Sequence, residues 1–477
     1  MLILFSLAGL SQPYNNSWIN YNQQYYKFKI AENSLYRIDS LTLYNAGVPV
    51  NSIDPRNIQI FAKGQEIPLF IDGENDGVLN TSDYIEFYAQ KNNGWFDEGF
   101  YGAPNLHPNP YYSLINDTIN YFLTWNNSIN NSRYIVENDT NFSLYNSAAY
   151  FEKEVLNPYS SSYFVGKTLL IGTTSEKLFG YDSAEGWFDV GYSLGGDKPY
   201  TISTPNSYTL AGDAVLKTTV LGQSNFASVY LDQHLRLQLG SVTVDTIFEG
   251  YQKIDLELPI PISQLSSPTT TVNFSSINDL GSTVGRQTVA YTKLNYPHTT
   301  DLEGLTKFEK IYVDDDLTQT KTYFQFSNFS GSGAIRFYDL TNNKKIEVVD
   351  NAADFECLIP NAGNKKECIA YRESEVKNIV NLFPVNSTGF FTDYSSTVDT
   401  AFIIITHPQL ITEANAYANY RLSSFNNPQN SFIVNINELY DQFAYGIEKH
   451  PYAIRGFVDY VLDNWSSQPN YLFLLGK

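Results

Sequence analysis

Oxygen donors for a hard cation are spaced along Asp72-Gly73-Glu74-Asn75-Asp76-Gly77-Val78-Leu79-Asn80-Thr81-Ser82-Asp83. Read as a twelve-residue loop, the stretch has acidic or amide side chains at positions 1, 3, 5, 9 and 12, glycine at 6 and an apolar residue at 8. Ca²⁺ takes six or more oxygens, and glycine at the sixth position permits the sharp turn between ligands. The pattern points to calcium as cofactor, held by Asp72, Glu74, Asp76, Asn80 and Asp83. Aspartate at position 12, where glutamate is usual, coordinates less generously. The flanking PLFI and YIEFYA read as strands where such loops usually have helices, so the same residues also fit an acidic, glycine-rich hairpin turn.

The chain has two thiols, Cys357 and Cys368, on either side of a turn signalled by Pro360, Asn361, Gly363 and Asn364. Strands entering and leaving that turn bring the sulfurs together, giving either a Cys357–Cys368 disulfide or two reduced cysteines on a hairpin. A bridge across so short a loop contributes about 2–3 kcal/mol. Neither cysteine has a histidine or other base beside it in sequence, and two thiols do not complete a tetrahedral zinc site. The five histidines, His107, His234, His298, His407 and His450, are far apart and none sits in a His-x-His or HExxH pattern. His407 follows a strand end, a place an active-site cleft reaches, although capping or packing is the usual role of such a residue. Asp314, Asp315 and Asp316 read as a solvated turn.

The elements that must position these groups are mostly strands. A chain of 477 residues is too long for one core and is expected to form about three domains. Abundant Tyr and Phe, with a single Met, favour strands and polar turns. From about residue 17 to 395 short alternating segments recur, among them YYKFKI (25–30), NIQIFA (57–62), DYIEFYA (83–89), INYFLTW (119–125) and TTTVNFSS (269–276). Near residue 400 the pattern changes. TAFIIIT (400–406) is apolar on both faces, as a central parallel strand requires. Ile411, Ala414, Ala418, Leu422 and Phe425 follow at helical spacing, and SFIVNI (431–436) is a second buried strand. Pro451 suits the first position of a helix whose apolar residues are Ile454, Phe457, Val458, Val461, Leu462 and Trp465, and YLFLLG (471–476) closes as a third buried strand. The expected fold is therefore mainly β, in tandem antiparallel β-domains, followed by the first half of an α/β domain with a parallel sheet. The divisions read as an N-terminal β-domain over 12–145, a second over 146–300, a β-sandwich-like region over 301–395, and the α/β part over 396–477.

Charge and termini bound the partners. With 50 acidic against 30 basic residues the net charge is −20, which repels phosphate backbones and excludes nucleic acid. Residues 2–10 (LILFSLAGL) read as the apolar core of a secretory signal ending at residue 11, lacking its basic n-region, or as a buried first strand. No later stretch has the ~18 uninterrupted apolar residues of a membrane helix.

FIIITHP (402–408), IVNI (433–436), ELYDQFAYGIEKHPYAIRGFVDYV (438–461) and YLFLLG (471–476) resemble the start of the caspase-like catalytic domain of the gingipain family of cysteine peptidases. Upstream, residues 36–97, 109–125 and 150–167 resemble the branch of that family that serves type IX secretion as sortase or signal peptidase. The resemblance implies a secreted or surface-attached cysteine-type endopeptidase. Its partners would be exported polypeptide substrates and the outer-membrane secretion machinery. The catalytic His and Cys of the family would lie beyond Lys477, leaving this stretch inactive alone. Tyr440, Asp441 and Arg455 lie in the family-like segment and read as scaffold. The alternatives are a non-enzymatic surface, adhesin or secretion-accessory protein, and a pseudo-peptidase.

Overall fold

The computed structural model describes residues 14–177, 180–352, 354–395, 402–424 and 428–476. The expected signal segment over residues 1–11 lies outside them. Two compact units are present: one takes the chain up to Asn92, Ile115–Arg133 and everything from Lys377, and the other takes Asn93–Leu114 and Tyr134–Val376. The divisions read at residues 145, 300 and 395 are thus not those of the compact units. Long-range strand pairing is the reason. Lys377–Asn378 joins the edge of Ser34–Asp39, and Phe383–Pro384 joins Tyr26–Ile30, so the chain returns to the sheets it started from.

In the first unit a five-stranded sheet runs Phe383–Pro384, Tyr26–Ile30, Ile119–Trp125, Ile58–Ala62, Gln65–Glu66. A four-stranded sheet runs Lys377–Asn378, Ser34–Asp39, Tyr84–Ala89, Phe70–Ile71. Period-two alternation puts Tyr26, Phe28 and Ile30 on a buried face, where Phe28 meets Phe87 at 5.8 Å and Tyr121 at 6.0 Å between ring centres. Each aromatic ring so buried contributes roughly 1.5–3 kcal/mol of transfer free energy. Ile119–Trp125 is buried at every position but the last, which means that both of its faces are covered.

The second cover comes from Trp18 and Phe391 over Phe122 and, at Asn120, from the α/β part of this unit. That part comprises strand β1 (Phe402–Thr406), helix α1 (Ile411–Leu422), strand β2 (Ser431–Asn435), helices α2 (Ile436–Phe443) and α3 (Tyr452–Asn464), and strand β3 (Tyr471–Leu475). All three strands are parallel, in the order β2-β1-β3, with Ile404 paired to Ile433 on one side and Phe473 on the other. β1 is wholly buried, as its unbroken apolar run requires. α1 covers one face, resting on Phe402, Ile404, Ile433, Phe473 and Leu475. On the opposite face Phe432 packs on Trp465, and Phe443 on Phe457.

Three details depart from the sequence expectations. Of the residues expected to form the apolar face of α1, Ala414 is buried, whereas Ile411 and Leu422 are 43% and 54% exposed; Phe425 lies outside the described residues. Pro451 is the N-cap of α3 and not its first helical residue, and the buried stripe is Ala453, Phe457, Tyr460 and Val461. β3 is an edge strand, so Tyr471, Leu472 and Leu474 remain exposed where a buried strand was expected.

Among the described residues the second unit has two large cores and a smaller cluster around Phe188 and Leu221. Ile202, Leu216, Leu237, Phe274 and Leu294 fill one, and Phe151, Phe308, Phe324, Phe326, Cys357 and Cys368 fill the other. The strands Tyr150–Pro158 and Arg286–Thr299 pair along nine positions in its largest sheet. The turn after Cys357 does not close a two-stranded hairpin. Asp354–Pro360 pairs with Lys321–Ser327, while Lys366–Arg372 belongs to the other sheet, so the turn carries the chain between sheets. Cys357 and Cys368 are accordingly both free and fully buried, and the expected disulfide is not formed. Burial pushes both thiols well above their ordinary range, which makes them poor nucleophiles. The acidic turn also differs from expectation. Asp315 accepts hydrogen bonds from the Ala362 and Gly363 amides and pairs with the fully buried Lys366.

Candidate active-site cleft

A cleft of about 830 Å³ opens at the carboxyl ends of the parallel strands. The topology accounts for its position. The chain leaves central β1 towards β2 through α1, and leaves β2 to reach β3 on the far side of β1, so the two crossovers part above β1. The floor is Ile405, Thr406, Leu474 and Leu475; Thr406 Oγ1 donates to the Leu475 carbonyl at 3.2 Å and ties β1 to β3.

One wall is His407, Gln409 and Leu410, the segment that follows β1. His407 is exposed, and its Nδ1 accepts from the Gln409 amide at 3.3 Å, capping the short 3₁₀ turn Pro408–Leu410. The opposite wall is α2 with the segment behind it. Asn435 caps α2 by accepting from the Asn437 amide at 3.0 Å, and Ile436, Asn437 and Tyr440 face the cleft. Tyr440 is half-buried. Burial first, and the nearby Glu448 second, raise its phenol above the ordinary value, so it stays protonated and donates. Glu448 and Lys449 complete the rim, with Lys29 of the Tyr26–Ile30 strand 2.9 Å from Glu448.

Asp441 points away from the cleft. Its buried carboxylate meets Lys27 Nζ at 2.5 Å and Asn120 Nδ2 at 3.0 Å. Burial raises its pKa, and Lys27 opposes the rise. Asp441 is therefore scaffold, as the sequence suggested, but Tyr440 beside it lines the cleft. Arg455 is exposed on α3 and pairs with Asp459 at 3.7 Å. The rim pair Lys29–Glu448 was not anticipated. The available signal was two lysines, Lys27 and Lys29, on one face of an otherwise half-buried strand.

The remaining sequence candidates lie elsewhere. In the 72–83 loop Glu74 accepts from Arg133 at 2.9 Å, Asp76 from the Val78 amide at 2.9 Å and from Asn80 Nδ2 at 3.0 Å, and Asp83 from the Asn80 amide at 2.7 Å. Glu74, Asp76 and Asp83 thus each have a hydrogen-bond partner, Asp72 is exposed, and no group of three or more metal-ligating side chains converges among the described residues. Gly73 and Gly77 both have positive φ, and a Cβ on Gly73 would strike the Asp83 carboxylate at 2.5 Å. His298 pairs with Glu303 at 2.8 Å and His234 with Asp279 at 2.9 Å; His107 stacks on Tyr101 at 4.9 Å. Both cysteines are in the second unit, so the cleft contains no thiol. What it offers chemically is a largely apolar floor with donors and one carboxylate at its rim. Among the described residues no helix is long and apolar enough to cross a membrane, which says nothing of strand-built barrels.

Residues 395–477, the segment that forms this cleft, match the model for peptidase family C25. No curated protein matches the chain. Among solved structures, the dimeric latent PorU from Porphyromonas gingivalis aligns with a TM-score of 0.57 at 12% identity, covering 95% of this chain. This chain spans 41% of the length of that PorU chain. A CBM36 domain of a multidomain xylanase from the hindgut metagenome of Trinervitermes trinervoides aligns over 30% of this chain and 95% of its own, at 15% identity, with a TM-score of 0.17. A BuGH86 protein in complex with neoagarooctaose aligns over 58% and 33%, at 13% identity, with a TM-score of 0.18. The last two scores are too low to indicate a shared fold. The peptidase resemblance read from FIIITHP and the α2–α3 segment is thus met by the family match, and the fold is PorU-like.

Proposed function

We propose that this chain is the N-terminal part of a secreted or surface-attached cysteine-type endopeptidase of the gingipain kind, acting on exported polypeptides at the outer membrane. The observation that carries the reading is the cleft above β1 and β3, lodged in the segment that matches peptidase family C25. In a parallel sheet this is where loops from successive strand ends meet a substrate. The proposed mechanism is acyl transfer. A thiolate, supplied with an imidazole by segments following Gly476, would attack the scissile carbonyl; the imidazolium would protonate the departing amine as the C–N bond breaks, and water or an amine would then take the acyl group from sulfur, while the apolar floor and the Tyr440 wall hold the peptide.

The test is to express the gene product together with whatever follows Lys477 and assay fluorogenic peptides before and after iodoacetamide. Thiol-dependent cleavage supports the reading, and its loss on Cys→Ala of the labelled residue identifies the nucleophile. A product that cleaves no peptide and takes no thiol probe in its folded state refutes it in favour of a binding role. We also propose that the 72–83 loop takes Ca²⁺ through Asp72, Glu74, Asp76, Asn80 and Asp83. The ion would displace the Asp76–Asn80 contact and compete with Arg133 for Glu74.

A further inference from the structure

α2 has two faces with different duties. Asn437 and Tyr440 line the cleft, while Glu438, Asp441 and Gln442, centred roughly 120° further around the helix, are buried and polar. Burying three polar side chains on a helix of eight residues is costly unless each finds partners. Glu438 finds them locally, accepting from the Thr392 amide at 2.6 Å and the Tyr394 hydroxyl at 3.1 Å. Gln442 Nε2 donates locally to the Thr392 carbonyl at 3.0 Å, while Asp441 and the Gln442 oxygen find partners in strands and loops more than three hundred residues upstream. Asp441 has Lys27 and Asn120, and Gln442 accepts from the Tyr21 hydroxyl at 3.1 Å.

The backbone behind α2 is held by the same strand. The Asn120 amide donates to the Gly446 carbonyl at 3.2 Å, and Gly446, at φ 79°, lies so close that a Cβ there would come within 2.6 Å of the Asn120 side chain. Lys27 and Lys29 share one face of the Tyr26–Ile30 strand, opposite Phe122 and Asn120. Lys27 reaches Asp441 and Lys29 reaches Glu448 at the cleft rim.

We propose that Lys27, Asn120 and Asp441 form a positioning clamp by which the N-terminal β-sheet holds the α2 wall of the cleft, so that substrate binding at Tyr440 and Glu448 depends on residues distant in sequence. The proposal rests on reading the cleft as the substrate site. Removing Lys27 leaves the Asp441 carboxylate buried without its cation, and α2 must shift to hydrate it. Asn437 and Tyr440 move with the helix.

The test uses the longest available gene product with three variants: Lys27→Met, Asp441→Asn, and the pair Lys27→Met/Asp441→Leu. Amide exchange in α2 and residues 444–450 is expected to accelerate about tenfold or more in Lys27→Met, with the second unit unchanged. In the active enzyme Lys27→Met and Asp441→Asn are expected to raise KM about tenfold with kcat within about twofold, the mark of a lost binding wall. The paired variant replaces the ion pair by apolar groups and is expected to recover Tm without recovering KM. Unchanged α2 exchange in Lys27→Met overturns the clamp. So does a paired variant in which KM returns to wild type together with Tm, because the residues then act only through stability. A product with no peptidase activity counts against the reading of the cleft alone, and the exchange experiment still decides the clamp.

Discussion

Lys366 is fully buried in the strand Lys366–Arg372, and its ammonium is neutralised by Asp315. Besides Asp315 it meets Thr322 Oγ1 at 3.3 Å. Asp315 is better supplied, since it keeps the Gly363 amide at 2.6 Å and the Ala362 amide at 3.1 Å whatever happens to the lysine. Breaking a buried pair by deleting one partner costs about 3–5 kcal/mol, because an uncompensated charge remains. The two deletions should therefore differ. Lys366→Met leaves a carboxylate with two amide donors and falls near the low end, about 3 kcal/mol. Asp315→Asn leaves a buried ammonium with almost nothing to bond and lies towards about 5 kcal/mol. The double variant, with neither charge, is expected to recover at least about 2 kcal/mol of the larger loss. Burial by itself pushes the Asp315 carboxyl up, but Lys366 and then the Gly363 amide outweigh it and hold the group below its ordinary value. A depressed folded value means that the pair's stabilisation is present above the ordinary carboxylate pKa and is lost as pH falls through the folded one, so the Lys366→Met difference should shrink in acid. Because a chain with two units need not unfold in one step, the measurement is native-state amide exchange in Lys321–Ser327, Asp354–Pro360 and Lys366–Arg372. A Lys366→Met change below about 0.5 kcal/mol, or an Asp315→Asn effect smaller than that of Lys366→Met, would refute the reasoning.

Three further outcomes are expected. Burial drives His107 down to about 4, with Asp97 opposing and Lys253 reinforcing. The unfolded chain then takes the proton first, near pH 6.5, so stability present at pH 7 is lost as pH falls from about 6.5 towards 4, by up to about 3 kcal/mol; exchange in the strands around Tyr101 at pH 7 and pH 5 measures it, and a His107→Phe variant should lose the dependence. Cys357 and Cys368 should resist thiol reagents in the folded chain, react on unfolding, and leave Tm indifferent to reductant; native labelling or a reductant-sensitive Tm would contradict the burial. Calorimetric titration with Ca²⁺ should give a binding heat that Asp76→Ala and Asp83→Asn abolish; a flat titration returns the 72–83 loop to the hairpin turn its hydrogen bonds already satisfy.

Much of the local structure was legible in the residues. INYFLTW and TTTVNFSS form strands over Ile119–Trp125 and Thr269–Ser276, because β-branched and aromatic residues between polar turns leave the backbone few alternatives. FIIIT reads as a central parallel strand because an apolar run without alternation must be covered on both faces. The location of the cleft follows from that parallel order, whereas the helix α2 was not read from the pattern and Tyr440, read as scaffold, lines the cleft. The pattern gave no notice that Asp441 would be clamped by Lys27, that Lys29 would meet Glu448, or that Cys357 and Cys368 would fall in facing sheets.

Sequence by itself determined the periodicities, the charge, the change of pattern near residue 400 and the peptidase resemblance, all of which depend on neighbours within a few positions. Tertiary structure alone decided that the chain re-enters its first sheets at Lys377, that Ile119–Trp125 is covered on both faces, and which face of α2 meets the cleft. These depend on which distant strand edges and buried polar groups satisfy one another. A lysine facing solvent and a lysine facing a buried aspartate are written with the same letter, and only the packed chain distinguishes them.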